Sequence, residues 1–280
     1  MPFIAACIQN CAGPDTQANI DDVSRLVGSA RERGANLVCT PEFFTCLHKD
    51  ESGLQVDARE ECAHPAVSAM GQLAREHGVW LLLGSIAVRE SSGLCRNRSV
   101  MLDDQGRVVS RYDKIHMFDV DLPGGESYRE SDIFAPGETA VVVDTPWARL
   151  GLSVCYDLRF AHLYRKLAQI GAQVLTVPAA FTKTTGQAHW HTLLRSRAIE
   201  TGCYVIAPCQ FGVHGDAATY GHSLIIDPWG TVLADGGEER GVVCAAIDLQ
   251  QVAQARRMIP ALQHDRQIQS PDEARLRVVP

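Results

Sequence analysis

The stretch GLSVCYDLRF, residues 151–160, places a cysteine between an apolar run and a group of polar and aromatic residues. Free cysteines often serve only to fill a core, but a thiol on a strand-to-helix elbow is also suited to nucleophilic attack. The helical pattern FAHLYRKLAQIG follows directly, and a helix N-terminus together with a nearby cation would lower the pKa of the thiol. Cys155 is therefore a candidate nucleophile, with simple packing as the alternative.

A carboxylate and a lysine supply the other groups that acyl transfer through a thioester requires. Glu42 follows the apolar run ANLVCT and lies between a proline and two phenylalanines, where partial desolvation would raise its pKa and make it a base. Lys114 lies among alternating apolar residues in RYDKIHMFDV, a pattern that would carry it toward the interior. An exposed loop glutamate and a snorkelling surface lysine are the alternatives for these two residues.

The elements that must position these residues alternate between apolar strands and amphipathic helices, which is typical of an α/β protein. Helices are predicted at NIDDVSRLVGSARERG, HPAVSAMGQLAREHG and FAHLYRKLAQIG, each ending at a glycine. Antiparallel hairpins at 100–112 and 221–234 mix the strand directions. A mixed sheet with helices on one face must cover its other face, so we expect a four-layer α-β-β-α sandwich with two mixed sheets. The predicted strands are FIAACI, ANLVCT, VWLLLGSIAV, ARLGLSV, QVLTVP, CYVIAP and HSLIID.

Length, charge and hydropathy exclude several classes of function. The chain has 280 residues and a net charge of -7 without a long block of either sign, which argues against nucleic-acid binding and favours a small-molecule substrate. No basic leader or apolar run of membrane-spanning length is present, so we expect a soluble, cytoplasmic protein. One domain, 1–262, is expected, followed by a polar C-terminal arm or tail, 263–280.

The cysteines and histidines do not have the spacing of metal ligands. Ten cysteines in a chain of this size without a secretion signal are expected to be mostly reduced. No C-x-x-C pair and no H-E-x-x-H motif occurs, so no metal site is predicted. Neither G-x-x-x-x-G-K nor G-x-G-x-x-G after a strand is present, and no cofactor is expected.

Three segments in order, PEFF, YDKIHMFDVDLPGGESYRES and CYDLRF, resemble the Glu-Lys-Cys triad motifs of the nitrilase (carbon-nitrogen hydrolase) superfamily. The segments VPAAFTKTTGQAHWHTLLRSRAIETGCYV and YGHSLIIDPWGTVLA extend this resemblance over nearly the whole chain, toward the Nit branch, whose members are amidases. The resemblance implies the four-layer fold and a homodimer or higher homo-oligomer. It also implies Glu42 as the base, Lys114 as the triad lysine, Cys155 as the nucleophile and Glu130 as a second glutamate, with Glu126 as the neighbouring alternative.

The resemblance further implies hydrolysis of a terminal amide on a small carboxylate-bearing substrate to an acid and ammonia. The oxyanion of the reaction would face Lys114 and the backbone N–H of Tyr156. Deaminated glutathione is the favoured substrate, because the stretch TYGHSLIIDPWG and the late RRMIP and QHDR segments resemble the amidases that act on it. Amides such as α-ketoglutaramate or α-ketosuccinamate are the alternatives.

A substrate carboxylate favours a fixed arginine fork. Arg159, four residues after the cysteine, is the candidate, with Thr185 as a hydroxyl partner, and a salt bridge from Arg159 to Asp157 is the structural alternative. Two departures from the family pattern bear on specificity. His191 stands where the branch usually has an acidic residue, and the C-terminal segment QHDRQIQSPDEARLRVVP differs from the family ending.

Two other classes of function compete with this interpretation. A papain-like enzyme would use a histidine as its base, and an inactive dimeric scaffold or thiol sensor would keep the fold without turnover. A sensor needs a resolving cysteine near Cys155, for which Cys203 and Cys209 are the candidates. The histidines to consider as a papain-like base are His116, His162, His189, His191 and His222.

Overall fold

The computed structural model describes residues 2–122 and 125–266. Its first sheet has six strands, of which the three central ones, β1, β2 and β5, run parallel while the outer pairs are antiparallel. In spatial order the strands are β18 (Gly241–Ile247), β1 (Phe3–Gln9), β2 (Leu37–Cys39), β5 (Trp80–Arg89), β6 (Cys95–Leu102) and β7 (Val108–Asp113).

The second sheet also has six strands with a parallel centre, formed by β11, β12 and β13, and antiparallel neighbours on both sides. Its strands in spatial order are β10 (Val142–Asp144), β11 (Arg149–Leu152), β12 (Val174–Thr176), β13 (Tyr204–Ala207), β16 (Leu224–Ile226) and β17 (Val232–Asp235). Three separate hairpins complete the strands: β3 (His48–Asp50) with β4 (Gly53–Gln55), β8 (Asp119–Asp121) with β9 (Ser127–Arg129), and β14 (Phe211–His214) with β15 (Ala217–Tyr220).

Helices cover the outer face of each sheet. Helices α1 (Thr16–Glu32) and α2 (Pro65–His77) pack on the first sheet, and α3 (Ala161–Gln169) and α4 (Lys183–Thr201) pack on the second. A fifth helix, α5 (Leu249–Met258), follows β18. The three predicted helices are present, and α1 begins earlier than its apolar pattern because the side chain of Asp15 caps it by accepting from the N–H of Ala18.

The alternation of side chains along β1 shows how the layers stack. Ala5 and Cys7 belong to the core between the two sheets, together with residues such as Leu150 of β11. Ala6 and Ile8 point the other way, into the core beneath α1 and α2. Because both faces of the strand are buried, the strand is apolar from Phe3 to Ile8. The prediction of a four-layer α-β-β-α sandwich with two mixed sheets is confirmed.

The C-terminal boundary is only partly described. A short 3₁₀ turn at Ala261–Gln263 follows α5, and most of the predicted arm over 263–280 lies outside the described residues. The division into a domain over 1–262 and an arm therefore stays a prediction. Within residues 2–122 and 125–266, none of the helices combines the length and the apolar character needed to span a bilayer.

Candidate active site

A lysine buried between two carboxylates forms the centre of the site. Lys114 Nζ lies 2.9 Å from Glu42 Oε1 and 2.7 Å from Glu130 Oε2. Asn97 Nδ2 donates to both glutamates, at 2.9 Å from each Oε1 atom. The side chains of Glu42, Lys114 and Glu130 are only 3%, 2% and 5% exposed. We call these four residues the buried cluster.

Glu42 of this cluster lies on the loop that follows β2 and reaches the interior from there. The close approach of this loop to β5 requires a glycine at position 84, since a Cβ there would lie 1.9 Å from the carbonyl oxygen of Thr40. The backbone N–H of Ala180 donates to Glu42 Oε2 at 2.8 Å, so the carboxylate is held from the second sheet as well. The carboxyl ends of β2 and β12 therefore meet at Glu42.

The buried aspartate Asp157 joins the segment that carries the lysine to the turn that carries the cysteine. Its Oδ1 accepts from the backbone N–H of His116 at 3.1 Å, and its Oδ2 accepts from the Tyr112 hydroxyl at 2.7 Å and the Val154 N–H at 2.9 Å. Strand β7 ends at Asp113, so Lys114 follows the strand and does not lie within it as the sequence pattern suggested. The Lys114 N–H donates to the carbonyl oxygen of Asn97 at 2.9 Å, which extends the pairing of β7 with β6, so the buried positions still alternate from Tyr112 to Lys114.

Cys155 stands at the predicted elbow, where β11 gives way to a 3₁₀ turn at Cys155–Arg159 before α3. Its φ of 48° is in the left-handed region, a strained conformation for a residue with a side chain. The Cys155 N–H donates to the carbonyl oxygen of Pro178 at 2.8 Å, which holds the turn in this conformation. The strain is consistent with a side chain that is presented for a purpose other than packing.

The charges of the cluster depend on one another. Burial alone would lower the pKa of Lys114, but the negative charges of Glu130 and Glu42 outweigh it and hold that pKa well above its ordinary value. Burial raises the pKa of Glu130, with the charge of Lys114 opposing and that of Glu42 adding to the rise. The ammonium is thus fixed in its charged form at the site.

The resting thiol is held neutral, which corrects the expectation that its pKa is lowered. Burial raises the pKa of Cys155 well above its ordinary value, and the negative charge of Glu42 raises it further, while Lys114 opposes the shift. Lys114 is the cation that was expected near the thiol. Two carboxylates already balance its charge, and burial changes the thiol pKa more than the lysine does. Attack by Cys155 therefore requires a base that removes the thiol proton during the reaction.

A cavity of about 410 Å³ opens onto Cys155 and onto Glu42, Lys114 and Glu130 of the buried cluster. This size lies within the range of about 300–1,000 Å³ that is common for small-molecule sites. Two of the short hairpins form one side of the cavity. We call this side the hairpin wall; it consists of Lys49, Ser52, Gly53 and Leu54 from the first hairpin and Ser127, Tyr128 and Arg129 from β9.

The structure brings together four of the predicted residues: Glu42, Lys114, Glu130 and Cys155 all line the cavity. Glu130, and not the alternative Glu126, contacts the lysine. Glu126 instead accepts from the hydroxyl of Tyr128.

The other three predicted residues do not line the cavity; they are Tyr156, Arg159 and Thr185. For Tyr156 the proposed contact is its backbone N–H, which lies in the 3₁₀ turn directly after Cys155. The Arg159 guanidinium lies 5.4 Å from the ring centroid of Phe181 and near His189, and it does not pair with Asp157. Thr185 Oγ1 is hydrogen-bonded to the Thr182 hydroxyl at 2.8 Å.

Asn97 and Lys49 were not predicted from the sequence. Asn97 is buried between two arginines on β6, and the polar residues around it leave no local signal that distinguishes it. Lys49 Nζ donates to the carbonyl oxygen of Ser127 at 3.0 Å and lies 4.1 Å from the Tyr128 ring centroid. Nothing in the local pattern HKDESG marks this residue as part of the site.

The rival catalytic arrangement is not supported by the described residues. None of the five candidate histidines is among the residues that line the cavity in 2–122 and 125–266. His116 is stacked on Phe160 at 3.5 Å and bonded to Asp157 at 2.7 Å. The cysteines proposed as resolving partners are fully buried: Cys203 contacts Arg256, and the Cys209 N–H donates to Ser223.

Comparison with known proteins indicates the family of this chain. The family described as "Carbon-nitrogen hydrolase" matches residues 4–257. The deaminated glutathione amidase of Yersinia enterocolitica is 39% identical over 95% of this chain and 93% of its own, and that of Homo sapiens is 42% identical over 95% of this chain and 83% of its own.

Among solved structures, the Caenorhabditis elegans NitFhit protein superposes with a TM-score of 0.86 at 35% identity, over 95% of this chain and 65% of that longer chain. The family match extends over residues 4–257, a range that contains the buried cluster. The chain belongs to the carbon-nitrogen hydrolase family of the nitrilase superfamily and is a hydrolase of non-peptide carbon–nitrogen bonds.

Proposed function

We propose that this protein is a thiol-dependent amidase that uses Cys155 as nucleophile, Glu42 as base and Lys114 as cation, with deaminated glutathione as substrate. The observation that carries the mechanism is the buried ammonium held between two carboxylates beside a neutral thiol in one cavity. The substrate rests on the names of the relatives, which are about 40% identical over most of the chain.

Cys155 attacks the amide carbon while Glu42 takes the thiol proton. Sulfur bonds to carbon, and the carbonyl electron pair moves to oxygen, where the charge of Lys114 and the N–H of Tyr156 stabilise it. Since the thiol is held neutral at rest, proton removal and attack belong to the same step. Because the proton is removed only as the thiol attacks, no reactive thiolate accumulates before the substrate binds.

The hydrogen bonds of the two glutamates favour Glu42 as the base. An ionised carboxylate has about four lone-pair positions. Glu130 accepts four hydrogen bonds, from Asn97, twice from Lys114, and from the Phe118 N–H. Glu42 accepts three, from Asn97, Lys114 and Ala180, and so keeps one position for a proton. We assign Glu130 a positioning role for the ammonium.

The leaving nitrogen takes the proton from Glu42 and departs as an amine, leaving a thioester on Cys155. Water then enters the cavity, Glu42 removes its proton, and the oxygen attacks the thioester carbon. The carbon–sulfur bond breaks, the thiolate takes the proton back, and a carboxylic acid is released. Each step uses only residues of the chain and water, so the mechanism requires no cofactor.

The amine product separates deaminated glutathione from the simpler ω-amides. Deaminated glutathione is the amide of a 2-oxo dicarboxylic acid with cysteinylglycine, so its hydrolysis releases that dipeptide. Ammonia is released only from primary amides such as α-ketoglutaramate or α-ketosuccinamate, and the expectation of ammonia applies to these alternatives alone. The acid formed from deaminated glutathione and from α-ketoglutaramate is the same.

The two ends of the proposed substrate carry carboxylates, and cations near the cavity suit them. Lys49 and Arg129 are in the hairpin wall, and among the described residues Lys49 forms no ion pair, whereas Arg129 is paired with Asp121. We propose that Lys49 receives the carboxylate of the cysteinylglycine part. Arg159, with Thr185, stays our proposal for the carboxylate on the 2-oxo side, and it requires the guanidinium to turn toward the cavity.

A competition assay tests the proposed substrate. The purified protein is incubated with equal concentrations of deaminated glutathione and α-ketoglutaramate, and the dipeptide and ammonia are measured separately, with Cys155→Ala as the control. We expect mainly cysteinylglycine and no product of either kind from the control. A large excess of ammonia would make the protein an ω-amidase. Turnover by Cys155→Ala would contradict the thioester mechanism.

We also propose that the protein forms a homodimer in the cytoplasm. In the single chain, Ile199 of α4 and Trp229 in the turn before β17 are 53% and 57% exposed. They flank Gly230, where an added Cβ would lie 2.7 Å from the Ile199 side chain, so the two apolar residues are neighbours. Light scattering on the wild type and on Ile199→Ser tests whether this surface joins two copies; identical masses would exclude it.

A further inference from the structure

Three side chains outside the cavity lining converge on one another at the end of the second sheet. His191 of α4, His222 before β16 and Asp235 at the end of β17 each offer a donor atom, and these atoms lie within 4.8 Å of one another. His191 Nε2 lies 3.2 Å from Asp235 Oδ2, and His222 Nδ1 lies 3.1 Å from the same oxygen. None of the three takes part in the mechanism above. We call them the His-Asp-His cluster.

The backbone around His222 is held in a conformation that aims its ring at the aspartate. Its φ of 51° is in the left-handed region, which is unfavourable for a histidine. Its N–H donates to the Gly237 carbonyl oxygen at 2.6 Å, and its own carbonyl accepts from Trp190 Nε1 at 2.8 Å. The Tyr220 ring stacks on the imidazole at 4.4 Å. The position of the ring is therefore set before any ligand binds.

Within the described residues, no lysine or arginine neutralises the charge of Asp235, and its ion-pair partners are the two histidines. Burial opposes its ionisation, but hydrogen bonds from the Gly237 N–H and from both histidines outweigh burial and lower its pKa. The neighbouring Glu238 is paired with Lys183 at 3.2 Å. The cluster thus combines one negative charge with two imidazoles, and no fixed cation competes for it.

We propose that the His-Asp-His cluster is a binding site for one divalent transition-metal ion of the zinc class. Two imidazole nitrogens and one carboxylate oxygen, completed by water, form a common ligand set for such an ion. Ligand atoms around tetrahedral zinc are about 3.3 Å apart, given zinc–ligand distances of about 2.0–2.1 Å. The two His–Asp distances already match this spacing, and the two imidazoles must approach each other by at most about 1.5 Å.

Binding fixes the protonation of both rings. His191 would coordinate through Nε2 and His222 through Nδ1, so each ring would carry its proton on the other nitrogen. Nitrogen ligands select zinc, cobalt, nickel or copper over magnesium and calcium, which prefer oxygen alone. The ion would tie α4 to β17 and to the loop before β16. It would stabilise the second sheet and would not take part in amide hydrolysis.

Cobalt titration of the chelator-treated full-length protein tests this site. Cobalt bound by two imidazoles and a carboxylate gives weak visible bands without the strong near-ultraviolet charge-transfer band of a cobalt thiolate. We expect one equivalent to bind with these bands, zinc to displace it, and magnesium to have no effect. Asp235→Asn and His191→Gln are each expected to weaken zinc binding at least 100-fold, while the control His77→Gln, on α2, binds as the wild type does.

A rival thiol site must be excluded in the same experiment. Cys11 Sγ lies 4.0 Å from His214 Nδ1 and is exposed enough to bind a metal. If the thiolate band appears and is lost in Cys11→Ser but not in Asp235→Asn, the metal binds there and the proposal is wrong. No binding by the wild type also overturns it. If a variant unfolds, thermal unfolding of the wild type tests the proposal instead. Zinc must then raise the midpoint temperature of unfolding, and magnesium must not.

Discussion

The two sides of the cavity differ in how their charges are held. In the buried cluster, Lys114 and two glutamates are almost fully buried, and every contact crosses between distant segments of the chain. In the hairpin wall, Lys49 and Arg129 come from short hairpins, and Arg129 pairs with Asp121, eight residues before it, at the surface. A wall of this kind can change without disturbing the charges of the buried cluster.

This difference has an energetic consequence. Removing one member of a buried ion pair leaves an unbalanced charge in a low-dielectric site and costs about 3–5 kcal/mol. Removing a charge from an exposed pair changes stability by about 0–1 kcal/mol. Substitutions in the buried cluster should therefore impair both folding and turnover, whereas substitutions in the hairpin wall should act on substrate selection alone.

Lys114→Met is expected to have the largest effect. It leaves Glu42 and Glu130 facing each other without a cation, so the protein should lose about 3–5 kcal/mol of unfolding free energy. Loss of the charge beside the oxyanion should lower kcat by at least about 10²–10³-fold. Urea unfolding and steady-state kinetics measure the two effects. A stable, active Lys114→Met protein would show that the ammonium is not required.

Glu42→Gln should abolish most turnover while making the thiol more reactive. Loss of a general base lowers kcat by about 10²–10⁴-fold. Because the charge of Glu42 raises the pKa of Cys155, its removal should lower that pKa, and alkylation by iodoacetamide should reach its maximum rate at a lower pH. Mass spectrometry follows Cys155, with the exposed Cys62 as an internal reference. If the pH dependence of alkylation is the same in Glu42→Gln and in the wild type, the charge of Glu42 does not affect the pKa of Cys155.

Glu130→Gln is expected to be milder than Glu42→Gln. The amide nitrogen would replace one carboxylate oxygen and face Lys114 together with either Asn97 or the Phe118 N–H, which are all donors, so the ammonium should shift. A displacement of about 1 Å can cost about 10²-fold in rate. The proposed base, Glu42, is still present, so kcat should stay above that of Glu42→Gln. If Glu130→Gln lowers kcat more than Glu42→Gln does, the assignment of base and positioning residue is reversed.

The sequence predicted the parts of the molecule that depend on local pattern. Both sheet-forming hairpins and the helices ending at Gly34, Gly78 and Gly171 follow from periodicity and turn residues, and the triad residues follow from the motifs. The contacts that arrange the site are long-range. Asn97 and Asp157 act through partners 33 to 55 and 41 to 45 residues away, and no local pattern carries that information.

The sign of the thiol pKa shift was wrong for a related reason. The sequence indicates which charges are near Cys155 but not how deeply it is buried or how far Lys114 is already neutralised. Burial is the larger effect here, and it acts in the opposite direction. The short hairpins of the wall were also missed, because three-residue strands such as His48–Asp50 are too short to show a period.

Lys49→Met is expected to have the smallest effect and the most selective one. If Lys49 binds the carboxylate of the cysteinylglycine part, its loss should raise KM for deaminated glutathione at least about tenfold, since hydrogen bonds to charged groups contribute about 1.5–3 kcal/mol. KM for α-ketoglutaramate, which lacks that part, and kcat for both should not change. Lys166→Met, a surface lysine outside the cavity lining, is the matched control. Equal changes in KM for both amides would mean that Lys49 shapes the hairpin wall through its contacts with Tyr128 and Ser127. Lys49 would then not bind the leaving group.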